Sequence, residues 1–119
     1  MSVQIAWLEP NRILMTTYSG HVTGTDFAQA SEAAFQTMDV QPVAILADLS
    51  SITGFEPNFV NMQLGIKLMN HPNMRGMAII TSSGLMNFIA KALGAGLRFK
   101  LFHSLEEAMA YLDTQLQAA

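Results

Sequence analysis

Within the stretch ADLSSITGFEPN, Ala47 to Asn58, six polar side chains crowd together: Asp48, Ser50, Ser51, Thr53, Glu56 and Asn58. Three chemistries could use them: a hydroxyl acting as nucleophile, a hydroxyl accepting a phosphoryl group, or a polar rim that contacts another protein. Nucleophilic catalysis needs a base within hydrogen-bond reach of the hydroxyl, usually a histidine held by a third group. The histidines are His21, His71 and His103, and none accompanies a nucleophile-elbow pattern G-x-S-x-G. They fall in three different connections, without the short spacings of a metal site, and there is no cysteine to supply a thiolate. Gly94 and Gly96 follow a helical pattern, whereas a dinucleotide fingerprint follows a strand and opens a helix. The sequence therefore predicts a protein that is not an enzyme and holds neither cofactor nor metal. Asp48 has a simpler use. At the end of a strand, such side chains bond the free N–H groups of the following turn, and Thr53-Gly54 continues that turn. Turn-and-cap chemistry thus takes precedence over a switch, with His71 and His103 read as solvated residues at helix boundaries.

The elements that would position this stretch are legible from periodicity. Val3 to Leu8 alternates as a strand, Glu9 to Asn11 has turn chemistry, and Arg12 to Ser19 alternates again, ended by Gly20. A three-residue link makes the pair an antiparallel hairpin. Thr23 or Thr25 caps a helix carrying Phe27, Ala30, Ala34, Phe35 and Met38 on one stripe. Val43 to Leu46 is an uninterrupted apolar run, expected of a strand covered on both faces. The polar stretch follows as a loop, then a second helix from about Asn58 to Asn70, broken by HPNMRG. Met77 to Ile80 is another buried strand. Ser82 or Ser83 caps a third helix with Leu85, Met86, Ile89, Ala90 and Leu93, stopped by GAG. Arg98 to Phe102 alternates as a last strand. Ser104 and Glu107 form a capping box before a helix lined by Leu105, Ala108, Met109, Leu112 and Leu116. The order β-β-α-β-α-β-α-β-α predicts an α/β domain, its sheet mainly parallel with one antiparallel strand from the N-terminal hairpin.

Composition bounds the rest. A chain of 119 residues, 50% hydrophobic and 13% charged, suits a single domain over residues 1–119 with one packed core. A net charge of −3 with six Lys plus Arg provides no basic stripe, so nucleic acid is not an expected partner. No apolar run approaches the ~20 residues that span a bilayer. MSVQIAWLEPNR lacks the basic and apolar regions of a signal peptide, and a cytoplasmic location is expected.

Three stretches, ILMTTYSGHVTGTDF, VAILADLSSITGFEP and RFKLFHSLEEAMAYL, together with the element order, resemble the STAS domain of bacterial anti-sigma-factor antagonists. The likeness covers nearly the whole chain and is nearest to the stand-alone, SpoIIAA-like members, themselves similar to the lipid-carrying CRAL-TRIO fold. In regulated antagonists a serine at the start of the second helix, just after an Asp-Ser pair, is phosphorylated. The resemblance sets Glu56 in the place of that Asp, Pro57 in that of the Ser, and Asn58 in that of the phosphorylated serine. Asn58 cannot accept a phosphoryl group, while an insertion would shift the role to Ser50, Ser51 or Thr53.

The second helix raises a separate question. Phe59, Met62, Ile66 and Met69 form one stripe, and Val60, Leu64 and Leu68 form a second well around the cylinder. The second stripe either packs against a neighbouring helix of the same layer or presents an apolar surface. The resemblance implies that this helix and the loop before it face a partner. The expected function is a regulatory module that binds another protein or a second copy of itself. Its surface would comprise Asp48, Ser50, Ser51, Thr53, Glu56, Asn58, Val60, Leu64 and Leu68. The nine methionines and Phe27, Phe35, Phe59 and Phe88 support an alternative, a carrier of a small apolar or lipid-like ligand.

Overall fold

The computed structural model describes residues 3–55, 67–68, 70–81 and 100–118. Its elements are β1 (Val3–Glu9), β2 (Ile13–Val22), α1 (Gly24–Met38), β3 (Val43–Phe55), β4 (Met74–Ile80), β5 (Lys100–Phe102) and α2 (Leu105–Ala118). The strands form one five-stranded sheet in the order β1-β2-β3-β4-β5. β1 is antiparallel to β2, and β2 to β5 run parallel. The hairpin turns through Asn11, whose φ of 61° is the left-handed conformation that asparagine tolerates. The expected second helix, about 58–70, and the third, capped by Ser82 or Ser83 and reaching Leu93, lie outside the described residues, except that Lys67 and Leu68 are helical and Asn70 is in a turn.

Alternation sorts the side chains onto two faces. Leu14, Val43, Ile45 and Met77 point to one face, where Ala34 and Met38 of α1 cover them. Tyr18, Ala47 and Ile79 lie on that face too, beneath Phe27 and Ala30. Ile13, Ala44, Leu46, Ala78 and Ile80 point the other way, under Ala108 and Leu112 of α2. β3 and β4 are therefore buried on both sides, which is why they read as continuous apolar runs. Each large aliphatic side chain removed from water there stabilises the fold by about 1.5–3 kcal/mol.

Local chemistry fixes the helix ends. Thr23 caps α1: the Asp26 N–H donates to Thr23 Oγ1 at 3.2 Å and the Thr23 N–H donates to Asp26 Oδ2 at 3.0 Å. At α2, the Glu107 N–H donates to Ser104 Oγ at 3.2 Å. α2 lies close to β4 because residue 76 is glycine. A Cβ there would stand 3.1 Å from Gln115 Cβ and 3.4 Å from Leu112 Cδ2. Arg12, next to the hairpin turn, anchors α2 through Asp113 Oδ1 at 2.7 Å and also bonds Glu9.

Three boundaries differ from expectation. β4 begins at Met74 within the supposed helix breaker, since Gly76 suits the close approach of α2 and Met74 pairs with Val43. β2 does not end at Gly20 but runs to Val22. Above all, β3 continues through the polar stretch to Phe55. The expected loop at 47–55 is a strand.

Candidate functional site

As far as Asp48, β3 pairs on both sides, with β2 and with β4. β4 then ends, and β3 goes on with β2 through Ser19↔Ser51, Gly20↔Ile52, His21↔Gly54 and Val22↔Phe55. The pairing slips twice, between Thr17 and Ser19 and between Gly20 and His21. Each slip gives β3 one residue more than β2. Such bulges bend a strand and re-aim its side chains. Gly20, with a φ of +68°, supplies the left-handed backbone opposite the second bulge.

The bulges divide the stretch between core and surface. Leu49 and Ile52 pack with Tyr18, Val22 and Phe27 beneath α1, whereas Ser50, Ser51 and Thr53 are exposed. Asp48 stabilises the first bulge. Its Oδ1 accepts the Ser50 N–H at 3.0 Å and the Ser50 Oγ–H at 2.6 Å. A main-chain donor displaced from the ladder is thereby satisfied. The bond from Asp48 to a following N–H, expected of a turn, is present, but it serves a bulge within a strand. At the second bulge His21 lies across Gly54, and its Nδ1 would stand 2.6 Å from any Cβ placed on that glycine. The result is a polar ledge of Asp48, Ser50, Ser51 and Thr53, with the exposed His21 beside it on β2.

His21 is not legible as part of this ledge from sequence, because Gly20 reads as the end of β2 whereas the strand runs on to Val22. The available signal was Val22, an apolar residue beyond the glycine that is fully buried. Glu56, Asn58, Val60 and Leu64 lie outside the described residues. Leu68 is described, and its expected surface role is corrected. It is 3% exposed and packs with Leu14, Ala34, Met38, Val43, Ile45 and Met77. Its side chain packs toward α1 and the sheet.

A second polar group lies at the other end of the sheet. The Asn73 N–H donates to His71 Nδ1 at 3.0 Å, so Nε2 carries the proton of the neutral ring and donates to Asp39 Oδ1 at 2.9 Å. Asn73 Nδ2 donates to the Met38 carbonyl at 2.6 Å, satisfying an acceptor in the last turn of α1. The Phe35 and His71 rings lie 6.1 Å apart. His71 is therefore not the solvated boundary residue expected: only 13% of its side chain is exposed, and it ties α1 to the entry of β4.

Among the described residues no three His, Asp or Glu side chains gather as a metal site, and no helix is long and apolar enough to cross a membrane. Burial pushes the Tyr18 phenol up to about 12, with nearby Asp26 adding to the effect and a hydrogen bond with Thr16 opposing it. The ledge itself presents hydroxyls and one carboxylate, groups that exchange hydrogen bonds with a partner's backbone and polar side chains.

Comparison with known proteins places this geometry. No curated protein matches the chain. Among solved structures it is similar to the crystal structure of an uncharacterized protein with a SpoIIAA-like fold from Shewanella loihica PV-4. The two are 20% identical, with a TM-score of 0.60, and the likeness covers 92% of this chain and 91% of that one. At that identity the likeness speaks for the fold alone, and it agrees with the STAS-like architecture expected from the sequence. The family model described as SpoIIAA-like matches residues 13–113, from the first residue of β2 into α2. That span takes in four of the five strands and the whole ledge, and the chain belongs to the SpoIIAA-like family.

Proposed function

We propose that this SpoIIAA-like domain is a non-enzymatic, regulatory protein-interaction module whose partner-facing element begins at the ledge on β3. The supporting observation is the division along Leu49 to Thr53. Leu49 and Ile52 are partly buried against the core, and this anchors the backbone from which Ser50, Ser51 and Thr53 project. Polar groups on a rigid strand bind with less ordering cost than the same groups on a loop. Glu56, Asn58, Val60 and Leu64 follow in sequence and extend the proposed surface. Leu68 is excluded from it because its side chain belongs to the core. With Asn58 at the family's phosphoserine position, Ser51 and Thr53 are the exposed hydroxyls left for any phosphoryl switch. Ser50 already donates to Asp48.

Affinity capture from the native host tests this reading. Tagged wild-type protein is compared with Ser51→Arg and Thr53→Arg variants whose melting temperatures match the wild type. A partner retained by the wild type and lost by both variants supports the proposal. Equal recovery by all three contradicts it. A small apolar molecule found by native mass spectrometry of the purified protein would favour the carrier alternative instead.

A further inference from the structure

The outer edge of β1 has a pattern that the ledge does not explain. β1 pairs with β2 along one side, and no described strand pairs with the other. Sheet edges are ordinarily blunted by lysine, proline or inward charge. Val3 to Trp7 has none of these; β1 bulges only after Trp7, with Glu9 and Pro10 beyond. Ile5 and Trp7, each 37% exposed, stand on the α1 side of the sheet opposite Thr16 and Leu14. Gln4 and Ala6 are exposed on the reverse side.

We propose that this edge is a self-complementary dimer interface, in which a second copy adds its β1 antiparallel and joins the two sheets into one. A two-fold axis normal to the sheet keeps both α1 helices on the same side, and it must pass through a residue because facing side chains share a side. Ala6 is the centre that fits. It sets Ile5 opposite the partner subunit's Trp7, and Trp7 opposite the partner subunit's Ile5. These are two β-branched–aromatic pairs of the kind that stabilise sheets. Glu9 lies beyond the bulge at Leu8, opposite Ile13 on the α2 side, so it takes no part in these pairs. Centring on Ile5 would set Trp7 against the partner subunit's Val3, which is 5% exposed and already covered. Centring on Trp7 would carry half of the pairing past the bulge at Leu8, where the regular register of β1 is lost. The edge matches a copy of itself in sequence and in side.

Light scattering across the micromolar range, together with disulfide trapping, tests the interface. The chain has no native cysteine, so each introduced thiol reports alone. In the proposed register the two residues at position 6 lie about 4.5–5.5 Å apart at Cα, within disulfide range. Those at position 4 lie about 13 Å apart, beyond it. The expected results are a wild-type dimer, a monomer for the Ile5→Lys, Trp7→Lys double variant with an unchanged circular dichroism spectrum, and oxidative cross-linking of Ala6→Cys but not of Gln4→Cys. A wild type that stays monomeric overturns the proposal, as when the edge serves a different strand. A dimer that survives the double variant, or cross-links at Gln4→Cys as readily as at Ala6→Cys, also overturns it. The ledge variants play no part in these readouts, so either surface can fail without the other.

Discussion

Tyr18 and Gly76 show at single-residue scale how the packing becomes measurable. The Tyr18 phenol titrates near 10 when unfolded and at about 12 when folded, because burial disfavours its anion. Below pH 10 both states keep the proton, and the contribution to stability is fully present. Between pH 10 and about 12 the unfolded chain ionises first, so stability falls by roughly 3 kcal/mol as pH rises. Denaturant unfolding of wild type and Tyr18→Phe across that window should show this component of the fall in the wild type only. Gly76 makes a steric prediction. The bulk added by Gly76→Val meets Gln115 and Leu112 of α2, and chemical denaturation should register a loss of about 1–3 kcal/mol. Leu68→Ala should cost about 2–4 kcal/mol, a loss of core packing rather than of a surface contact. If Leu68 belonged to an exposed stripe, the same substitution would leave the melting temperature nearly unchanged.

At the scale of elements, the clip between α1 and β4 is the clearest target. Asn73→Ala leaves the Met38 carbonyl without this donor, and thermal melting should show a cost of about 1–2 kcal/mol. The elements also show what the residues could and could not announce. The hairpin, the α1 stripe and the two doubly buried strands were legible because alternation, helical spacing and apolar runs each follow from burial on a particular face. The capping choice between Thr23 and Thr25 settles on Thr23, where Asp26 closes a reciprocal pair. The length of β3 was not legible. Asp, Ser, Thr and Gly carry turn preferences, yet pairing with β2 across two bulges overrides them and keeps Leu49 and Ile52 against the core. His71 was misplaced for a similar reason, since its partners Asp39 and Asn73 come together only when α1 docks beside β4.

For the whole molecule, the element order indicated a mainly parallel sheet with one antiparallel strand, and the five-stranded sheet between α1 and α2 has that form. The site was only half legible. The polar cluster Asp48, Ser50, Ser51 and Thr53 stood out in sequence, but its support did not, because a ledge exists only through pairing with a strand far away along the chain. That support makes the functional proposal specific. β3 presents its hydroxyls from a backbone anchored by neighbours packed against the core, so a partner should meet a preformed surface. Hydrogen–deuterium exchange of the domain, alone and with the partner recovered from its host, tests this most directly. Binding should slow exchange in peptides covering residues 48–55 while the core strands stay as they were. Protection gained elsewhere, with residues 48–55 unchanged, would contradict it.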